Sequence, residues 1–486
     1  MKINIYILVC LIIGAQTSTI AQNSSIPIEE TQIQPAQSVQ PPRKSRNNNQ
    51  NEVYRLSKLA RNAESANKFE RALGLWKQAH EINPGYQSAY SGVKRCLLGL
   101  KKPDEALQFV NSMIELSLTG KTSLDPAKIA ADKIEVIFAF GNDSLAWVEI
   151  ENLLAEFKGN QKLHYNLSNV LAAQRLTEEP IEMLLRGRRE CGNKFLFAKN
   201  LARWHENRMN WESATQEYLL YLEESPQRLN QVVGSLGDIA DKLEIDSTIA
   251  RTVNKWIDRE KGDFKLLLRK LSALLHFRAK RYDLAFVQYR TLEESNRGQG
   301  KELLEFARLV GKEGEHQLAW DAYNEILLTN PGSTLKSSVN LGRGFSAEAL
   351  GEIDSAYAIY NAVLEPGISV KTAFEVYQRL GDIEFRQYKS AEKGRIYYQK
   401  ALDILGKARM PVSRIDSIRV NIILTHEYEG NLEETEKLLT NLLKRNRNSR
   451  KNLSGARYEL VRLLFRTGKI NETEENIEIF LTTLPN

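Results

Sequence analysis

Cysteine and histidine are scarce in this chain of 486 residues, with three of the first and six of the second. Cys10, Cys96 and Cys191 belong to no CxxC pair and no Cys/His cluster, which removes structural zinc and thioredoxin-type exchange. His80, His164, His205, His276, His316 and His426 form neither HxxxH nor HExxH, so no metalloprotease motif is present. Glycine-rich phosphate loops are missing too: Gly342-Arg343-Gly344 lacks the further glycine and the strand that a dinucleotide site requires. No GxSxG elbow occurs. Acid pairs such as Glu178-Glu179 and Glu433-Glu434 fall at expected helix starts, where carboxylates favour the helix dipole. These absences point away from an enzyme and leave no catalytic residue, cofactor site or metal ligand to nominate. A dominant sign of charge is lacking as well. Against 67 Lys and Arg stand 61 Asp and Glu, a net +6, which excludes a dedicated nucleic-acid binder.

The first residues read as a targeting signal. Lys2 precedes an apolar run of 13 residues, 3–15, and Thr19-Ile20-Ala21 before Gln22 puts a small residue where a signal peptidase cuts. This predicts a signal peptide over 1–21, too short to span a bilayer with comfort, and no transmembrane span after its cleavage. Cys10 is not a lipobox cysteine, because Ile7-Leu8-Val9 before it are bulky. The chain is therefore expected to be exported, to the periplasm or in association with the outer membrane. Cys96 and Cys191 should remain free thiols. Residues 22–50, QNSSIPIEETQIQPAQSVQPPRKSRNNNQ, hold few large apolar side chains. They are expected to form a disordered tether, since they cannot bury enough surface to offset their ordering entropy.

From Asn51 onward the patterning is helical: prolines number only 13 in the whole chain, and no strand-like alternation persists. A small residue recurs, followed by an aromatic or aliphatic residue four positions on and an apolar residue at seven. Three clear copies are Ala72-Trp76-Ala79 with Pro84, Ala214-Tyr218-Tyr221 with Pro226, and Ala319-Tyr323-Ile326 with Pro331. Further copies begin at Ala106, Ala146, Pro180, Ala250, Ala285, Ala356, Gly394, Thr435 and Thr473, with successive spacings of 34, 40, 34, 34, 36, 35, 34, 37, 38, 41 and 38 residues. Small residues twelve positions earlier, as in Ala60/Ala72, Ala202/Ala214, Ala273/Ala285 and Ala307/Ala319, let two antiparallel helices approach closely. A period of 34 with this internal pattern resembles the tetratricopeptide repeat family, over nearly all of the chain beyond Asn51. The expected fold is all-α, a right-handed superhelical solenoid of about twelve antiparallel helix hairpins in all, with the main array spanning 51–406. C-terminal hairpins over 407–486 are either continuous with that array or hinged near Met410-Pro411. The last hairpin has no extra solvating helix after it, so its outer face is expected to be covered by a partner or a second copy.

The resemblance implies a use as well as a fold. In that family the first helix of each repeat lines a concave face that binds peptides or partner helices. In this register Tyr165, Asn166 and Asn169 fall on that face in one repeat, and Lys199, Asn200 and Arg203 in the next. Asparagine can bond a peptide backbone, while lysine and arginine pair with carboxylate. They resemble part of a carboxylate clamp, although the following repeat, around 232–240, supplies no clear further cation. The sequence thus points to a non-enzymatic scaffold or adaptor of the bacterial cell envelope with a protein or peptide partner. A second candidate is the acid-free run Lys444, Arg445, Arg447, Arg450 and Lys451, for contact with an anionic envelope surface. It carries no interleaved aromatics for stacking on bases, and no nucleic-acid partner is expected. The alternative reading is a glycan-binding protein of the starch-utilisation type. Aromatics such as Trp76, Trp211, Tyr218, Tyr289, Tyr323 and Tyr360 are expected in the core rather than on a sugar platform.

Overall fold

The computed structural model describes residues 44–243, 246–295, 298–330, 334–404, 412–445 and 453–483. The signal peptide expected over 1–21, most of the tether, and Met410-Pro411 of the expected hinge lie outside these residues. The described chain is all-α, with 24 helices and no strand. Such a number suits twelve two-helix repeats.

Two compact units meet at Asp143 and Ser144. The first contains α1 (Lys44–Ser65), α2 (Phe69–Ile82), α3 (Gln87–Gly99), α4 (Pro103–Leu118) and α5 (Pro126–Ala139). Helix α1 thus starts inside the segment expected to be tether. The second unit opens with α6 (Asp143–Glu156), α7 (Gln161–Ala173), α8 (Glu179–Glu190), α9 (Ala198–Asn207) and α10 (Trp211–Glu224). After a 3-10 turn over Pro226–Arg228 come α11 (Leu229–Leu243), α12 (Asp246–Arg259), α13 (Gly262–Arg278), α14 (Tyr282–Ser295), α15 (Lys301–Lys312) and α16 (His316–Thr329). The series continues with α17 (Lys336–Ala349), α18 (Ile353–Val363), α19 (Val370–Asp382) and α20 (Ala391–Asp403). It closes with α21 (Val412–Tyr428), α22 (Leu432–Arg445), α23 (Ser454–Arg466) and α24 (Ile470–Thr483). Odd-numbered helices are the first, or A, helices of their repeats; even-numbered ones are the B helices.

Backbone geometry gives a second, independent register. The turn from A to B helix passes through the left-handed region at Asn67, Lys101, Gly141, Arg175, Met209, Lys280, Gly314, Gly351, Lys389, Gly430 and Gly468. Each lies seven residues beyond the eighth repeat position, so the turn recurs at the same spacings as the small residues. At six of these turns a side chain bears the cost of positive φ, about 1–2 kcal/mol each. Only a strongly over-determined hairpin would hold it there.

What over-determines the hairpin is close packing. Ala60, Ala72, Ala202, Ala214, Ala273, Ala285, Ala307 and Ala319 are all fully buried. The aromatic four residues after the small one is buried too: Trp76, Tyr218, Tyr289, Tyr323, Tyr360 and Tyr398 are each at most 5% exposed. A large side chain buried this way contributes about 1.5–3 kcal/mol. Trp211, at the start of α10, is only half-buried.

Longer spacings have local causes. The 40-residue interval after Ala106 is absorbed by the connection between α4 and α5, where Thr122 Oγ1 donates to the Pro84 carbonyl at 3.2 Å. The 38-residue interval before Gly394 contains a π-helical turn, Ile383–Gln387, that extends α19. Helix stops follow proline chemistry: Asn83 and Ser225 take extended backbone immediately before Pro84 and Pro226. Cys96 and Cys191 are free thiols. Burial and the neighbouring Glu64 push the Cys96 thiol up to about 12, which keeps it protonated.

Candidate functional site

A ladder of ion pairs runs from A helix to A helix. In the first unit Arg95 on α3 reaches Glu64 on α1 at 3.1 Å, and Lys94 reaches Asp132 on α5 at 2.8 Å. In the second, Arg278 on α13 holds Asp238 and Asp241 on α11 at 2.6 and 2.7 Å. Lys270, also on α13, holds Glu302 and Glu305 on α15 at 2.6 and 2.7 Å. Arg379 on α19 pairs with Glu348 on α17 at 3.4 Å, and Arg414 on α21 with Glu375 on α19 at 3.0 Å. Glu427 on α21 takes Arg462 and Arg466 from α23. Spacing alone could not reveal these partners, which lie 31–40 residues apart in sequence and meet only when the repeats stack.

Among the described residues no ion pair joins α7 to α9 or α9 to α11. That gap contains the six residues nominated from sequence. Tyr165 and Asn169 are exposed on α7, and Asn166 is half-buried beside them. On α9, Lys199 and Asn200 are half-buried and Arg203 is exposed. The Tyr165 ring stacks on Phe197 with centroids 6.4 Å apart and planes 22° apart. Phe197, itself at φ 63°, is the residue from which α9 starts, so this stack ties α7 to the head of α9. Lys199 Nζ stands 5.8 Å from the Tyr221 ring centre on α10, and the Arg228 guanidinium 4.1 Å from it. Two cations therefore share one ring, a modest attraction; Arg228 is also paired with Glu224 at 2.8 Å, which leaves Lys199 as the one of the two without a carboxylate.

Arg203 lines a cleft of about 330 Å³ with Glu206, Asn207, Trp211, Tyr218, Ser235 and Asp238. Both carboxylates of that cleft are already engaged. Glu206 accepts the Tyr218 hydroxyl, whose pKa is pushed up to about 12 by burial and that bond, and Asp238 is held by Arg278. Position for position, Lys199 corresponds to Lys270 and Arg379, both of which hold a carboxylate. Lys199 and Arg203 have none among the described residues.

Sequence reasoning missed a recurring bond that shapes this face. Trp76 Nε1 donates to Glu64 at 2.7 Å, Tyr218 to Glu206, and Tyr360 to Glu348 at 3.0 Å, each acid twelve residues before its ring. Tyr289 donates to Glu305 at 3.3 Å and Tyr398 to Asp382 at 2.7 Å. An acid twelve residues before the ring was an available signal for Trp76, Tyr218 and Tyr360; Glu305, sixteen residues after Tyr289, and Asp382, sixteen before Tyr398, follow no such spacing.

The basic run is placed only in part. Lys444 is exposed at the end of α22 and borders a cleft of about 310 Å³ with Arg457, Glu436, Glu472 and Glu475. Arg447, Arg450 and Lys451, and the side chain of Arg445, lie outside the described residues. Among the described residues no cluster of three His, Cys, Asp or Glu side chains could hold a metal ion. No helix there is long and apolar enough to cross a membrane.

No protein-family model matches the chain, and no curated protein does. Among solved structures, it is similar to the APC/C hetero-tetramer Cut9-Hcn1, at 13% identity and TM-score 0.32, covering 89% of this chain and 94% of that one. It is also similar to yeast Tom70, at 12% identity and TM-score 0.31, covering 89% and 92%. A third similarity is to the C-terminal part of a TPR repeat-containing protein from Cytophaga hutchinsonii, at 13% identity and TM-score 0.36, covering 51% and 95%. By its own repeat length, its buried small-residue pairs and its recurrent left-handed turn, the chain is an all-α helical-repeat protein whose pattern resembles the tetratricopeptide repeat.

Proposed function

We propose that this protein is a non-enzymatic interaction scaffold of the bacterial cell envelope, which holds a partner polypeptide against the A-helix faces of α7 and α9. One observation carries the reading. The ion-pair ladder is interrupted there, and its interruption leaves Lys199 and Arg203 without carboxylates, beside amide side chains free to bond a peptide backbone. A half-buried cation without a counter-charge favours an incoming anion, because the desolvation cost has been met within the fold. A carboxylate gripped there would gain charge-assisted hydrogen bonds.

Replacing both residues, Lys199→Ala with Arg203→Ala, is expected to weaken partner binding by about 1.5–3 kcal/mol per lost charged bond, tenfold or more. Helicity should be unchanged, since neither residue contributes an ion pair to the fold. Partner capture from cross-linked envelope fractions, compared between the parent and this variant, checks it; equal capture by both would sink the assignment. Export is tested separately by intact mass, with a mature chain beginning at Gln22 expected and a retained Met1 contradicting it. The glycan-binding reading gains no support, because the rings that might form a sugar platform are mostly buried in the repeat core.

A further inference from the structure

Junctions between repeats share a pattern of contacts that the two end helices leave half-made. The residue just after the small one on a B helix reaches the next A helix. Phe286 on α14 stacks on Phe306 of α15 with centroids 5.1 Å apart, and the Trp320 ring centre on α16 lies 4.8 Å from the Arg343 guanidinium of α17. Tyr357 on α18 donates at 2.7 Å to Glu384, in the turn that extends α19. Arg395 Nε on α20 donates at 2.9 Å to Thr425 of α21. Eight residues after the small one, Ile114, Leu222, Leu364 and Leu443 all pack into the core.

On α24, the last described helix, the same two positions are open. Glu474 follows Thr473 and is exposed, and Leu481, eight residues beyond Thr473, is 50% exposed. With Ile470 and Glu478 they form one exposed stripe, since their spacings of four, four and three residues follow the helix period. The helix holds four glutamates and no basic residue. Glu474 and Glu478 pair with no cation among the described residues.

Helix α1, the first described, presents the other half. Leu59 precedes Ala60 as Phe306 precedes Ala307 and Arg343 precedes Gly344, and it is 38% exposed. Lys58 beside it corresponds to Glu305, which Tyr289 of the preceding B helix reaches at 3.3 Å. Lys58 is exposed and holds no carboxylate among the described residues. One end therefore offers acids and aliphatic side chains where a following A helix belongs. The other offers a cation and a leucine where a preceding B helix belongs.

We propose that α24 of one copy docks on α1 of a second copy, with Glu474 and Glu478 facing Lys58 and Leu481 covering Leu59. The opposite charges at matching repeat positions single out a second copy as the occupant. The contact joins two different faces, so it is heterologous, and it covers apolar side chains at the ends of an array, where a polar face is usual. It uses no residue of the site on α7 and α9 and stands apart from it.

Sedimentation of the full chain at low salt should show a mean mass that rises above the monomer with concentration. Glu474→Lys and Lys58→Glu should each weaken that association tenfold or more, by setting like charges face to face. Neither residue bonds within the fold, so helicity should be unchanged in both. The chain carrying both reversals should associate again, because each end then meets its opposite sign. Leu481→p-benzoylphenylalanine, irradiated in cells, should give an adduct to α1 of a second copy. A chain that stays monomeric throughout, or association that ignores either reversal or is not regained by the pair, would overturn the proposal. So would cross-linking that joins Leu481 only to a different polypeptide or to its own chain.

Discussion

Arg188→Met is expected to destabilise the second unit by about 3–5 kcal/mol, the cost of stranding a buried charge. Arg188 on α8 and Glu217 on α10 form a two-pronged pair at 2.8 and 2.6 Å, with side chains only 14% and 10% exposed. Arg188 Nε also donates to the Leu196 carbonyl at 3.0 Å. One guanidinium therefore ties α8 and α10 to the connection that ends in Phe197, the starting point of α9. Its loss should disturb the placement of Lys199 and Arg203 as well as stability. Adding Glu217→Leu removes the stranded carboxylate and should recover much of the stability, since apolar replacements of buried pairs are often neutral. Chemical denaturation of the single and double variants checks both parts. Equal stability of Arg188→Met and the parent would mean the pair is solvated in solution.

Gly344→Ala is expected to cost about 1–3 kcal/mol through overpacking. A Cβ at that position would lie 2.2 Å from Cε1 of Tyr360, a fully buried ring whose hydroxyl is fixed to Glu348 at 3.0 Å. The ring cannot retreat without giving up that bond. Gly311→Ala should act oppositely and stabilise by about 0.5–1 kcal/mol, because it finds ordinary contact and removes a helical glycine. In a repeat array each unit contacts mainly its neighbours, so the damage of Gly344→Ala should stay local. Hydrogen exchange should quicken in α17 and α18 and remain unchanged in α23 and α24. Uniform quickening would contradict the one-dimensional picture.

The hairpins were legible because their signal is local and repeated. Ala60 and Ala72, or Ala307 and Ala319, sit within one repeat, and spacing alone brings them together. The left-handed turn was not legible, since its occupants range from glycine to Arg175 and Met209 and share a backbone conformation rather than a side-chain type. Site residues were half legible. Lys199 and Arg203 could be placed on the A-helix face from the register. What distinguishes them from Lys270 or Arg379 is that no carboxylate is left for them: α7 has none, and Asp238 and Asp241 on α11 are held by Arg278, which depends on how repeats stack.

The measurement that bears most directly on the central claim is site-specific photo-cross-linking in living cells. Tyr165→p-benzoylphenylalanine places the probe on the exposed A-helix face of α7, and Lys393→p-benzoylphenylalanine places it on the exposed B helix α20. A scaffold that works through its interrupted ladder predicts a discrete polypeptide adduct from position 165, lost when Lys199 and Arg203 are alanine, and none from position 393. An adduct from position 393 alone, or one from position 165 that persists without both cations, would contradict it.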